Sequence, residues 1–145
     1  MAHLDPYLIF SGNAEEAFNF YKSVFGGEFT TVSRLGDAPS DPSHPISEAE
    51  KNLIMHISLP IGGGSVLMAS DAPSFMGTVT RGNGLDISIN AATEEEGHKL
   101  FNGLSAGGTV KMPFEKMFWG AFHGQLDDKF GVAWMVNYDP NQKPA

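Results

Sequence analysis

His56 and Asp86 are the two side chains in this sequence best suited to moving a proton. An imidazole titrates near neutrality, and a carboxylate beside it would fix its tautomer and support its charged form. His56 falls in 52–60, where Leu53, Met55, Ile57 and Leu59 alternate with Ile54, His56 and Ser58. Asp86 falls in a second alternating stretch, in which Leu85, Ile87 and Ile89 face away from Asp86, Ser88 and Asn90. Such alternation predicts strands with one face on a helix-packed core and the other facing something more polar. An acid–base pair is one reading of His56 and Asp86; the other is that they satisfy each other or nearby backbone groups.

The same open faces predict a binding cleft lined by Leu8, Phe10, His56, Ser58, Met68, Ser70, Asp86, Ser88, Met135 and Asn137, with Trp119 as a wall. A mixed lining of this kind suits a small amphipathic or aromatic molecule, and methionine adapts readily to such guests. Ser70 has neither a neighbouring histidine nor an elbow motif, so a serine nucleophile has little support. Trp134 alternates with Val132 and Val136 and is assigned to the core. His123 is read as a hairpin residue at the rim, and Asp127-Asp128 as a turn.

The elements that must position these residues come in two cycles. Pro6–Phe10 predicts a strand, and Asn13 with Glu16 three residues on predicts a capped helix whose apolar face is Ala14, Ala17, Phe18, Tyr21 and Phe25. Strands are expected at about 28–35, 52–60 and 65–70, with a Pro-rich mobile loop over 36–50. After a linker at about 72–83 the pattern repeats. A strand at about 85–90 precedes a helix capped by Thr93 and Glu96, with Leu100, Phe101 and Leu104 inward. Strands at about 109–117, 118–126 and 131–137 follow. Asn13-Ala14-Glu15-Glu16 is echoed by Thr93-Glu94-Glu95-Glu96, and Ser65–Ser70 by Val132–Asn137. The expected fold is α+β: one domain over 1–145 built from two βαβββ modules, about 1–71 and 84–140, that share a curved mixed sheet around a cleft.

Composition narrows the function. There is no cysteine, which removes disulfides, thiolate nucleophiles and Cys-ligated metal centres. A net charge of −8 without any basic cluster argues against nucleic acid and anionic membranes as partners. No basic, apolar leader opens the chain, and no apolar run nears the roughly 20 residues that span a bilayer. A cytoplasmic protein is the expectation.

The duplication, with Pro6–Ala17, Phe20-Tyr21-Lys22, Ile54-Met55-His56, Leu67–Asp71 and Asp128–Met135, resembles the vicinal oxygen chelate superfamily of glyoxalases, bleomycin-resistance proteins and extradiol dioxygenases. It is closest to the PhnB-like branch, whose members often carry a 3-demethylubiquinone-9 3-methyltransferase label. No Gly-rich turn in a doubly wound pattern supports that label. By the resemblance, a metal-dependent relative would place its ligands at Pro6, Met68, Asp86 and Met135. Only Asp86 offers a suitable donor there, so no metal and no cofactor are expected. The resemblance also implies a homodimer. The resulting expectation is metal-free binding of a small aromatic or hydrophobic molecule. The alternatives are a superfamily lyase or isomerase using His56 and Asp86, with or without metal, and a structural homodimer with no dedicated ligand.

Overall fold

The computed structural model describes residues 2–142 and divides the chain into two compact units, Met1–Thr80 and Arg81–Ala145. Each holds the expected strand–helix–three-strand run. The first contains β1 (Tyr7–Phe10), α1 (Ala14–Phe25), β2 (Thr31–Arg34), β3 (Ile54–Gly62) and β4 (Ser65–Asp71). The second contains β5 (Ile87–Asn90), α2 (Glu94–Ser105), β6 (Thr109–Lys116), β7 (Phe122–Asp127) and β8 (Ala133–Tyr138).

Each unit forms a four-stranded mixed sheet, ordered β1-β4-β3-β2 in the first and β5-β8-β7-β6 in the second. The opening strand pairs in parallel with the closing one, and every other pair is antiparallel. A helix covers one face of each sheet. Under α1 lie Ile57, Leu59, Leu67 and Ala69, all fully buried, together with Phe10, whose ring meets Phe18 edge-on at 6.4 Å. Under α2 lie Leu126, Trp134 and Val136, with Leu104 and Phe101 descending from the helix. Trp134 is therefore core, as expected. Gly124 sits beneath α2 because nothing larger fits. A Cβ there would stand 2.7 Å from the Phe101 ring and 2.8 Å from the Phe114 backbone.

The two helix starts differ. Thr93 accepts from the Glu96 amide at 3.0 Å, and the Glu96 carboxylate accepts from the Ala92 amide at 3.0 Å, so α2 is capped by the expected pair. The Asn13 side chain makes no cap on α1. Asp71, at the end of β4, does that work instead. One of its oxygens accepts from the Gly12 and Ala14 amides at 3.0 Å each, and the other from the Ile54 amide at 2.8 Å. A carboxylate at a helix N-terminus is also favoured by the helix dipole and outcompetes a neutral amide.

Three further boundaries depart from the sequence reading. A bulge between Ser33 and Arg34 shifts the β2–β3 register, so Ile54 enters the core while Met55 stays exposed. Residues 117–121 form a turn rather than the start of a strand, closed by Met117–Ala121 and Gly120–Met117 backbone bonds with Gly120 at φ 95°. Segment 36–50 is bounded by two short 3-10 turns, Leu35–Asp37 at its start and Glu48–Glu50 at its end. It is tied down at both ends. Arg34 donates to both Glu15 oxygens at 3.2 and 2.6 Å, which holds the Glu15 carboxyl below its ordinary range, and Glu50 accepts from the Ser74 amide.

Candidate functional site

Strand register decides which side chains share the face opposite each helix. In the first unit, Tyr7, Met68 and Ser58 form one row across β1, β4 and β3, while Ile9 and Ser70 share the next row with His56. Leu8 pairs with Ala69 and Phe10 with Asp71, both on the helix side. The expected lining is corrected there: Phe10 is buried in the core, half-buried Leu8 shares its face, and Tyr7 and Ile9 take the open face. The run is apolar throughout, so hydropathy gives no phase for β1, and pairing with β4 decides its faces.

His56 is held between two hydroxyls. Ser58 lies 2.8 Å from its Nε2 and the Tyr7 phenol 3.2 Å from its Nδ1. Hydroxyls donate or accept, so either imidazole tautomer fits between them.

In the second unit, Ser88, Met135 and Gln125 form one row across β5, β8 and β7, with Asn90, Asn137 and His123 in the next. A continuous hydrogen-bond string links four of these side chains. The Asn137 amide nitrogen donates to the Ser88 hydroxyl at 2.9 Å and the Ile89 carbonyl at 3.3 Å. Its oxygen therefore faces His123, whose Nδ1 donates at 2.6 Å. The other ring nitrogen accepts from the Gln125 amide at 3.1 Å. His123, read as a rim residue of the hairpin, stands second in β7 and joins Asn137 to Gln125 in this string. Sequence reasoning missed His123 and Gln125, although a signal was present: His56 precedes Met68 by twelve residues, and His123 precedes Met135 by the same twelve. Laid over one another, the modules match His56 with His123, Ser58 with Gln125, Met68 with Met135 and Ser70 with Asn137.

His56 and Asp86 belong to different units, and each has its own neighbours. Asp86 lies just before β5, with Lys111 Nζ 3.9 Å from its Oδ1. That oxygen is buried and accepts no hydrogen bond from the described residues. The same lysine sits 3.1 Å from Asp127. Trp119 is 57% exposed in the 117–121 turn, edge-on to the exposed Phe118 ring at 4.9 Å. Asp128 anchors the β7–β8 turn, accepting from the Phe130 and Val132 amides and from Trp134 Nε1 at 2.8 Å. A hollow of about 690 Å³ also opens between segment 36–50 and Phe75. Its walls are turn residues, among them Pro42, Pro45 and Ile46, with Asp41 and His44 paired at 3.3 Å and Lys51 with Glu48 at 2.6 Å.

Among the described residues, no three His, Asp or Glu side chains come together as a metal-binding group. The positions flanking the strands' centres carry Met68 and Met135, whose thioethers are poor ligands for hard divalent ions. No helix among these residues is long and apolar enough to cross a membrane.

A family model described as 3-demethylubiquinone-9 3-methyltransferase matches residues 2–137. Protein PA1353 from Pseudomonas aeruginosa is similar over 96% of this chain and 98% of its own, at 39% identity and a TM-score of 0.83. The PhnB protein from Bacillus cereus is 27% identical over 94% of this chain and 99% of its own, with a TM-score of 0.73. Protein YjdN of Escherichia coli is 29% identical over 92% of this chain and 93% of its own. At 19% identity the likeness is one of fold alone. There it includes a glyoxalase/bleomycin resistance/dioxygenase family enzyme from Burkholderia phytofirmans, with a TM-score of 0.58 over 93% of this chain and 98% of that one.

Proposed function

Because the chain belongs to the 3-demethylubiquinone-9 3-methyltransferase family of PhnB-type proteins, within the glyoxalase/bleomycin-resistance superfamily, we propose that it binds a small aromatic or hydrophobic molecule without a metal. The observation that carries this reading is the pair of open sheet faces, each with a methionine flanked by ordered polar groups: Tyr7, His56 and Ser58 around Met68, and Ser88, Gln125 and Asn137 around Met135. Apolar floor with a few fixed polar groups is the usual make-up of a small-molecule site. On this reading the protein works as a cytoplasmic homodimer.

Two cofactor roles fit the residues poorly. A divalent ion would need oxygen or imidazole ligands where methionines stand. A methyl donor bound as in doubly wound folds would need a parallel sheet and free amides at a helix start. Here each sheet has one parallel pair. Asp71 already occupies amides at the start of α1, and Thr93 with Glu96 those of α2. The methyltransferase description is therefore not carried over to this chain.

A second reading, a lyase or isomerase using His56 and Asp86, is favoured by one feature, the buried Asp86 oxygen without a hydrogen bond. A thermal-shift screen with aromatic acids, quinones and glutathione conjugates separates the readings. A ligand at a hundredfold excess over its Kd should add about 2.7 kcal/mol of stability. Met68→Ala should reduce that gain while Asp86→Asn leaves it in place. Loss of the gain in Asp86→Asn with Met68→Ala unaffected would favour the enzyme.

A further inference from the structure

The string of hydrogen bonds on the second sheet has a direction, and its ends define a ligand. Asn137 must turn its nitrogen towards Ser88, because the Ile89 carbonyl beside that nitrogen only accepts. With one proton on the ring, His123 carries it on Nδ1, and Gln125 turns its nitrogen towards Nε2. Two capacities are left over. At one end Gln125 keeps an amide oxygen with no partner among the described residues, an acceptor. At the other, Ser88 has accepted from Asn137 and keeps its hydroxyl proton, a donor.

Gln125 and Ser88 flank Met135 in a single row, one strand to either side. The interval between them is two strand spacings, roughly 10 Å at the backbone. Between an acceptor and a donor lies a flat, polarisable thioether, a good floor for an aromatic ring. No ionisable side chain takes part in the string except His123, and its two nitrogens are both engaged.

We propose that the Ser88–Met135–Gln125 row binds an uncharged aromatic ring bearing a hydroxyl or N–H donor on one side and a carbonyl acceptor on the opposite side. The donor meets Gln125 Oε1, the carbonyl accepts from Ser88, and the ring lies on Met135. A hydroxyaryl ketone has these features, and its para arrangement plus a hydrogen bond at each end spans the row. His123 and Asn137 are positioning residues, since they hold the two ends in these roles without touching the ring. This inference rests on the small-molecule reading above and specifies which chemistry the second sheet selects.

The test uses the full-length protein with 13C-methyl methionine, the Met135 resonance being assigned through Met135→Leu. The probes are 4-hydroxyacetophenone, acetophenone, which lacks the donor, and phenol, which lacks the carbonyl. The first should move the Met135 methyl and bind about tenfold more tightly than either of the others, one good hydrogen bond being worth about that much. Ser88→Ala, at an exposed position on an edge strand, should erase the advantage over phenol, and Gln125→Leu the advantage over acetophenone. Equal affinities for the three probes, or an unmoved Met135 resonance, would overturn the inference. If Met68 responds while Met135 does not, only this inference fails; if no methionine responds to any aromatic probe, the small-molecule reading fails with it.

Discussion

Asp71→Ala should lower stability by about 3 kcal/mol or more, a cost on the scale of truncating a buried core aromatic. Three amides lose their acceptor together: Gly12 and Ala14 at the start of α1, and Ile54 at the start of β3. Asp71 is 4% exposed, so water cannot readily replace the carboxylate. A buried donor left unpaired costs its full desolvation, about 1–3 kcal/mol each, while partial relaxation keeps the sum below a simple total. The helix also loses a negative charge at its positive end. At roughly 3 °C per kcal/mol for a chain of this size, the melting temperature should fall by roughly 10 °C. Asp71→Asn, which retains one acceptor oxygen, should lose about half as much. Thermal unfolding of both variants checks this, and an alanine variant melting with the wild type would remove Asp71 from its place as the tie between β4, α1 and β3.

The second large effect is expected at Asp128, which does comparable work in the other unit with different partners. It accepts from the Phe130 and Val132 amides and from the indole of Trp134, itself fully buried. Asp128→Ala strands an indole N–H in the core and loosens the turn that sets β7 against β8. About 3 kcal/mol should be lost, with the near-UV circular dichroism of the tryptophans flattening before global unfolding. Trp134→Phe should suffer less, because Asp128 keeps the Phe130 and Val132 amides and the hole left is only the size of the pyrrole ring. Urea unfolding midpoints for the two variants give the comparison. If Asp128→Ala proves no weaker than Trp134→Phe, the carboxylate contributes little beyond the turn.

Both carboxylates illustrate what the sequence does and does not disclose. The two βαβββ runs and the helix faces could be read directly, because apolar spacing at 3.6 and 2 residues reports burial. Asp71 could not be read as the α1 cap, since it lies fifty-seven residues from Ala14, and local capping rules see only a few residues. Asn13 fitted those rules and was displaced by a stronger, charged acceptor from β4. At the candidate site, Ser58, Met68, Ser70, Ser88, Met135 and Asn137 fall on the open faces because their strands run long enough for alternation to fix the register. Leu8 and Phe10 do not, because the unbroken apolar run of β1 carries no phase, whereas β5, equally short, alternates apolar and polar residues. His123 was hidden by the aromatic run before it. The turn at Gly120 breaks that run and resets which residues face outward.

On the proposed function, these open faces hold an aromatic guest by apolar contact and hydrogen bonds, with no ion between protein and ligand. The most direct test is the ligand-induced melting shift of the purified protein, measured before and after exhaustive chelation and dialysis. Binding through methionine, serine, glutamine and imidazole groups predicts the same shift in both samples, unchanged when manganese, nickel or zinc is returned. A shift that vanishes with chelation and is restored by one of those ions would contradict the account.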